Sequence, residues 1–380
     1  MNKIVNFCKS NAVLVLSGIL ALVSCFFVHP DMQYVSYINT RVLSILFCLM
    51  LVVSCLVDIG TFDVLTSKLL AKVKSTRAIC LILTGLSFVL SMFMTNDVTL
   101  VTLVPFAIML LKNLPDKRTM MNCLILVTCA ANLGSMLTPV GNPQNLYLYD
   151  NYHMTLPGFL GLTFPYSLIS LVLVIAGVLL MCKKASIPSS EISKSESKIP
   201  AAKLVLCIVL FALSLLTVAG ILHYLIVLPI TIVVILILDR KAFKGVDYNL
   251  LVTFVFFFIL TGNLGRIDAI SNAIRAVADP YPVITAILTS QIISNVPAAM
   301  LLSVFTEKGA SLVIGTNLGG LGTLIASMAS LITYRFYAKL DSKYKPAAKG
   351  SGYVLWFTIV NVVMLLILFG ANLLLTKITG

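Results

Sequence analysis

The residues best equipped for chemistry lie where an apolar chain should carry none. Between the apolar runs Ala78 to Met94 and Val98 to Leu111 stands Thr95-Asn96-Asp97, with Thr99 one turn on. An asparagine amide both donates and accepts hydrogen bonds, and a carboxylate binds a cation or carries a proton. A carboxylate near mid-membrane costs about 2.5 to 3.5 kcal/mol on insertion scales, so it faces a cavity or a partner. The competing role for Asp97 is to cap the arm that starts at Val98. A second polar tip, Ser294-Asn295-Val296-Pro297, interrupts the apolar stretch 283–305. Two further breaks carry the remaining candidates. One is Asn132-Leu-Gly134 through Thr138-Pro139-Val-Gly141-Asn142-Pro143-Gln144-Asn145, and the other is Asn317-Leu-Gly319-Gly320-Leu-Gly322-Thr323. Each stretch also contains a competing structural use for its polar side chains, namely capping helix ends.

The elements that must position these residues are membrane helices. The chain of 380 residues is 59% hydrophobic and 11% charged, with a mean hydropathy of +1.04, which a soluble globule could not hide from water. The net charge of +13 would suggest nucleic acid in a soluble chain. Here its distribution matters more, and no nucleic-acid partner is expected. The nine cysteines lack CxxC spacing, so they read as buried thiols and not as a zinc site or a disulfide framework. The three histidines, His29, His153 and His223, show no metal spacing. No metal or cofactor site is read from the sequence beyond a position where sodium could sit near Asn96, Asp97 and Asn295. Without a phosphate-binding Gly-Lys-Ser/Thr loop, ATP-driven transport is not expected.

Spans are expected at 11–28, 41–57, 159–182, 204–222, 224–238, 248–262 and 353–375. The stretches 78–111 and 283–305 have arms too short to cross, since a spanning helix needs about 20 apolar residues. They read as re-entrant hairpins. Helices 121–149 and 310–335 read as discontinuous. With the N-terminus inside, 22 of the 27 Lys and Arg fall in inside segments and 5 outside, and basic loops stay cytoplasmic. The first hairpin then enters from within, the second from without, and the C-terminus lies outside, in the cytoplasmic (inner) membrane.

The motifs recur in order. Asn96 matches Asn295, Asn132-Leu-Gly134 matches Asn317-Leu-Gly319, and Gly60-Thr-Phe-Asp63 matches Gly265-Arg-Ile-Asp268. Residues 1–182 therefore read as a first repeat, 183–223 as a cytoplasmic linker with a connecting helix, and 224–380 as a second, inverted repeat. The connecting helix makes the step between repeats odd, which is what inverts the second copy. Asp63 and Asp268 are expected to cap helices or to pair with a nearby base such as Arg266. Inverted repeats with interrupted helices at matched places point to a secondary transporter with its site at the repeat interface. Half-helix N-termini favour an anion, and half-helix C-termini with unwound carbonyls favour a cation.

Taken together, Thr95-Asn96-Asp97-Val-Thr99, Ala131-Asn132-Leu-Gly134 through Asn145, Ser294-Asn295-Val-Pro297 and Gly315-Thr-Asn317-Leu-Gly319-Gly320 through Thr323 resemble the ion transporter superfamily. That group includes citrate-transporter-like permeases, arsenite permeases, divalent anion/sodium symporters and a set of sodium/proton antiporters. The resemblance implies an all-α polytopic fold with a scaffold and a moving domain that holds both hairpins. It also implies elevator-like alternating access, often in a homodimer. In divalent anion symporters both tips read Ser-Asn-Thr and hold substrate and sodium. Here Asp97 and Val296 take the third places, which brings the first tip closer to the arsenite-permease and citrate-like branches. The expected activity is secondary transport of a small anion, citrate-like or an inorganic oxyanion such as arsenite, coupled to sodium or protons. The alternative is sodium/proton antiport. A membrane-embedded enzyme would need a nucleophile with its base, or clustered metal ligands, and Asp97 is the only deep charge.

Overall fold

The computed structural model describes residues 11–70, 73, 75–185, 199–346 and 352–379. Lys3, Lys9, Lys72, Lys74 and Lys349 of the charge count and residues 186–198 of the expected linker lie outside them. Among the described residues the protein is helical, with no β-strand. In chain order the helices are α1 (Ala12–Phe27), α2 (Gln33–Tyr37), α3 (Thr40–Asp58), α4 (Thr61–Leu70), α5 (Thr76–Leu90), α6 (Asn96–Leu111), α7 (Lys117–Gly134), α8 (Pro143–Asn151) and α9 (Leu156–Met181). There follow α10 (Ala201–Val218), α11 (Tyr224–Leu238), α12 (Tyr248–Gly265), α13 (Asp268–Ala278), α14 (Pro282–Ile293), α15 (Asn295–Leu302), α16 (Gly309–Gly319), α17 (Met328–Ala338) and α18 (Tyr353–Thr379).

Among the described residues six helices are long and apolar enough to cross a bilayer, or seven if α13 and α14, bent by 113° from one another, count as one broken span. Polar residues fix where several begin. Asn39 accepts from the Val42 amide at α3, Thr155 from Gly158 at α9, and Asp247 from Leu250 at α12. Burial ranks the long helices by position. The span that begins with α7 is 94% buried, whereas α9 and α18 are 33% and α10 28% buried, leaving broad apolar faces for lipid.

The helices between Thr76 and Leu111 have 15 and 16 residues, hence lengths of about 23 and 24 Å against a hydrocarbon thickness of about 30 Å. Helices α14 and α15 have 12 and 8 residues, or about 18 and 12 Å. Neither pair can cross twice. Each folds back on itself, and its two arms pack together. Discontinuity also appears where glycine and proline announced it. Helix α7 ends in a 3-10 turn at Ser135–Leu137, and α8 starts only at Pro143. Helix α16 ends at Gly319, and the chain stays irregular to Ser327 before α17. This second break is longer than the stretch to Thr323 that the sequence marks, because Ser327 and Ala326 carry no breaker signature.

Packing partners are exchanged between the halves. Helix α1 lies against α12, and α11 against α3. The first hairpin packs on α7 and on α17, while the second packs on α16 and on α8. Each hairpin thus rests on the leading half-helix of its own half and the trailing half-helix of the other. One expected pairing is corrected: Arg266 Nη1 meets Asp31 Oδ2 at 2.8 Å and Tyr37 Oη at 3.2 Å, not Asp63 or Asp268. The tight turn after α12 aims Arg266 back at the α1–α2 connection. The helix expected at 204–222 ends at Val218, where the turn to α11 begins. Helices α1 and α11, with 16 and 15 residues, are short for the full crossings expected of them.

Candidate functional site

The two hairpin tips and the two breaks meet in one buried polar cluster. Asn132, in the last turn of α7, is its hub. Its Oδ1 accepts from Asn96 Nδ2 at 2.9 Å and from Ser327 Oγ at 3.0 Å, and its Nδ2 reaches the Gly320 carbonyl at 3.5 Å. One side chain therefore touches the first tip and the far break at once. Ser135 Oγ donates to the Asn132 carbonyl at 2.9 Å and accepts from the Asn142 amide. Asn145 Nδ2 collects the carbonyls of Ser135, Met136 and Thr138 at 3.1, 3.4 and 3.2 Å. Its Oδ1 accepts from Asn317 Nδ2 at 2.6 Å. These asparagines are at most 4% exposed, so a solute reaches them only when the surrounding helices move.

At the second tip, Ser294 holds φ +76°, a left-handed conformation that costs a non-glycine residue about 1–3 kcal/mol. The turn is held by the Asn295 amide, which donates to the Ala326 carbonyl at 3.0 Å. Both tip asparagines use Oδ1 in the same way, accepting from the next backbone amide, Asp97 N at 2.9 Å and Val296 N at 3.0 Å. Pro297 is buried in the first turn of α15, where its missing amide hydrogen is no loss. Thr95 occupies the N-cap of α6 without a side-chain capping bond, so the arm starts at Asn96 and Asp97 does not cap it. Asp97 Oδ1 is buried without a hydrogen-bond partner, as are Thr99 Oγ1, Asn317 Oδ1, Thr323 Oγ1 and both polar atoms of the Gln144 side chain.

The glycines make close approach possible. A Cβ on Gly134 would meet the Phe88 carbonyl and, at 2.7 Å, Ser91 Oγ, while one on Gly319 would meet Ser290 Oγ at 2.6 Å and Ile287 Cα at 3.1 Å. Ser91 and Ser290 stand at equivalent places in the two hairpins. Gly141 is wedged between the backbones of Ser135 and Ser91, and Gly320 faces Asn295 Nδ2 at 3.0 Å from its would-be Cβ. Thr138 donates to the Met92 carbonyl and accepts from the Gly141 amide at 3.1 Å, tying the first break to the first turn.

The sequence reading missed three contributors. Gln291 Nε2 holds the Gly319 and Leu321 carbonyls at 2.9 Å each, and its Oε1 accepts from the Thr323 amide at 2.9 Å. It does for the second break what Asn145 does for the first. Ser135 and Ser327 complete the network. A lone glutamine in an apolar arm was the signal to follow, since such an amide is costly without partners. A cavity of about 390 Å³ lies elsewhere, between α3, α11 and α12, lined by Leu43, Phe47, Leu228, Ile232, Leu251 and Val255. Its walls are almost wholly apolar, with Ser44 the one polar side chain, and carry no charged group.

Paired breaks at matched places around a buried polar cluster fit a membrane transporter. The chain belongs to the citrate transporter family, whose model matches residues 4–311. It is 34% identical over 311 residues to an uncharacterized transporter of Methanocaldococcus jannaschii, covering 80% of this chain and 83% of that one. It is 30% identical over 319 residues to the inner membrane protein YbiR of Escherichia coli, covering 81% and 83%. A shorter match, 31% over 147 residues, covers 38% of this chain and 29% of the silicon efflux transporter LSI3 of Oryza sativa. The protein is a multi-pass membrane transporter and not an enzyme.

Proposed function

We propose that the protein is a secondary active transporter of a small anion, either citrate-like or an inorganic oxyanion such as arsenite, coupled to sodium or protons. The carrying observation is the Asn132 hub, which binds the first hairpin tip and the opposite break together. A solute or ion at this junction would touch both halves, as alternating access requires. The exchanged packing supports two inverted repeats, and the buried cluster supports an elevator-like movement of both hairpins with α7, α8, α16 and α17. Arg41 and Asp150, paired at 2.9 Å, join the start of α3 to the end of α8 and in this reading link the scaffold to the moving body. We propose that the protein lies in the cytoplasmic membrane, N-terminus inside, in keeping with the basic-residue asymmetry and the inner-membrane relative, and that it is a homodimer, as the resemblance to the ion transporter superfamily implies.

Neither tip nor break carries Lys, Arg or His. Recognition of a solute there falls to amides, hydroxyls and helix ends, which suits a small solute of low charge. The silicon efflux relative, whose match is partial, is in line with that size class. Asp97 Oδ1, buried and unpartnered, is the natural seat for the coupling ion and favours one second reading, sodium/proton antiport. Uptake into proteoliposomes decides between them. Citrate, succinate, sulfate and arsenite are offered under separate sodium and proton gradients, alongside sodium flux alone. Gradient-driven accumulation of one solute supports the symport reading. Sodium–proton exchange with no accumulated solute replaces it by antiport, and no gradient-driven flux of any kind refutes both.

A further inference from the structure

Away from the polar cluster, three ammonium groups converge on one ring. Lys343 Nζ lies 4.8 Å, Lys117 Nζ 5.7 Å and Lys112 Nζ 5.9 Å from the centroid of Tyr344. A fourth, Lys345 Nζ, lies 5.6 Å from the Tyr337 ring next to it. These lysines come from three places in the chain: the end of α6, the start of α7 and the segment after α17. Placing like charges together is unfavourable unless something negative joins them. The acids nearby offset only part of this charge. Exposed Asp341 pairs with Lys343 at 3.7 Å, a solvated contact worth little, and Asp116 pairs at 3.7 Å with Lys183 and not with Lys112 or Lys117. Part of the convergence is structural, since Lys117 Nζ donates to the Lys112 carbonyl at 2.8 Å and Lys345 Nζ to the Ala338 carbonyl at 3.0 Å, closing the ends of α6 and α17. Each ammonium has three hydrogens, so these bonds leave others to offer.

The patch sits at the end of a lipid-facing stripe. Val101 and Met109 of α6 are 51% and 48% exposed, and Pro105 between them is exposed too. At spacings of four residues these three share one face, and Lys112 lies one turn beyond Met109. A lipid whose acyl chains run along this stripe brings its headgroup to the lysines. We propose that Lys112, Lys117 and Lys343, gathered around Tyr344, bind the phosphate of an anionic lipid in the leaflet on that face. Because Lys112 closes an arm of the first hairpin, the lipid would be held by an element of the transport site.

The test measures binding and not transport, so its outcome is separate from the solute assignment. Full-length protein is equilibrated with phosphatidylglycerol or phosphatidylcholine, and retained lipid is counted by native mass spectrometry. The protein should retain phosphatidylglycerol in preference. Each lysine near an anionic surface contributes about a fivefold affinity, so Lys112→Gln/Lys117→Gln/Lys343→Gln should lose about a hundredfold. Lys343→Gln alone, at an exposed position that closes no helix, should lose about fivefold. Lys241→Gln/Lys244→Gln, in the α11–α12 connection, should lose nothing at this site. Equal retention of the two lipids, undiminished retention by the triple and single variants, or equally tight binding of inorganic phosphate alone would overturn the proposal.

Discussion

The Asn317 amide donates to Oδ1 of Asn145 across 2.6 Å, joining side chains 172 positions apart in the chain. Helix α16 is thereby bonded to α8, the trailing half-helix of the other break, at the same residue that satisfies three carbonyls at the end of α7. Asn145→Ala should therefore cost more than Asn317→Ala, because it leaves several buried acceptors unsatisfied at about 1–3 kcal/mol each. A double-mutant cycle on thermal unfolding in detergent should show a coupling of about 1 kcal/mol. Additive effects would mean that the contact does not join the halves energetically.

Gly134→Ala and Gly319→Ala should each lower the yield of folded protein sharply. In both, the added methyl meets a hairpin arm closer than Cβ atoms tolerate. Gly85→Ala is the control, since nothing lies within 4 Å of its would-be Cβ. It should leave size-exclusion profiles and melting unchanged or slightly improved. Equal tolerance at all three positions would contradict the close packing.

Strain at Ser294 gives an opposite expectation. Ser294→Gly removes the steric cost of φ +76° and should raise the melting temperature. Ser294→Val should lower it, because a β-branched residue disfavours that conformation most. Should the valine variant melt higher than the glycine one, the tip does not hold this backbone.

Asp97→Asn keeps the size of the side chain and the backbone amide bonded to Asn96. Folding and yield should stay close to those of the parent. Gradient-driven flux should fall at least about tenfold if the carboxylate supplies about 1.4 kcal/mol or more to ion binding. Asp97→Glu should retain part of it. Unchanged coupling in the asparagine variant would remove the carboxylate from the mechanism.

Much of this arrangement was legible in the chain because membranes punish irregularity. An apolar arm too short to cross must turn back, and paired Gly and Pro in a long apolar run must interrupt its helix, so the short paired arms and both helix breaks were visible. Gln291 escaped because it lies in an apolar arm whose local pattern is an ordinary helix, and Ser135 and Ser327 because a lone serine within an interrupted stretch carries no signal of its own. The roles of Gln291 and Ser327 are set by partners 28 and 195 positions away, Gly319 for the first and Asn132 for the second. The pairing of Arg266 was misjudged for the same reason, since nearness in sequence favoured Asp268 over Asp31.

Accessibility of the two tips is the most direct measure of whether they form one solute site. In a variant with the nine native cysteines replaced, single cysteines at Thr95 and at Ser294 are exposed to a membrane-impermeant thiol reagent, with and without the solute that drives uptake. Both should react, and the solute should slow both. Cysteines that never react, or one tip protected while the other is indifferent to solute, would contradict a shared site.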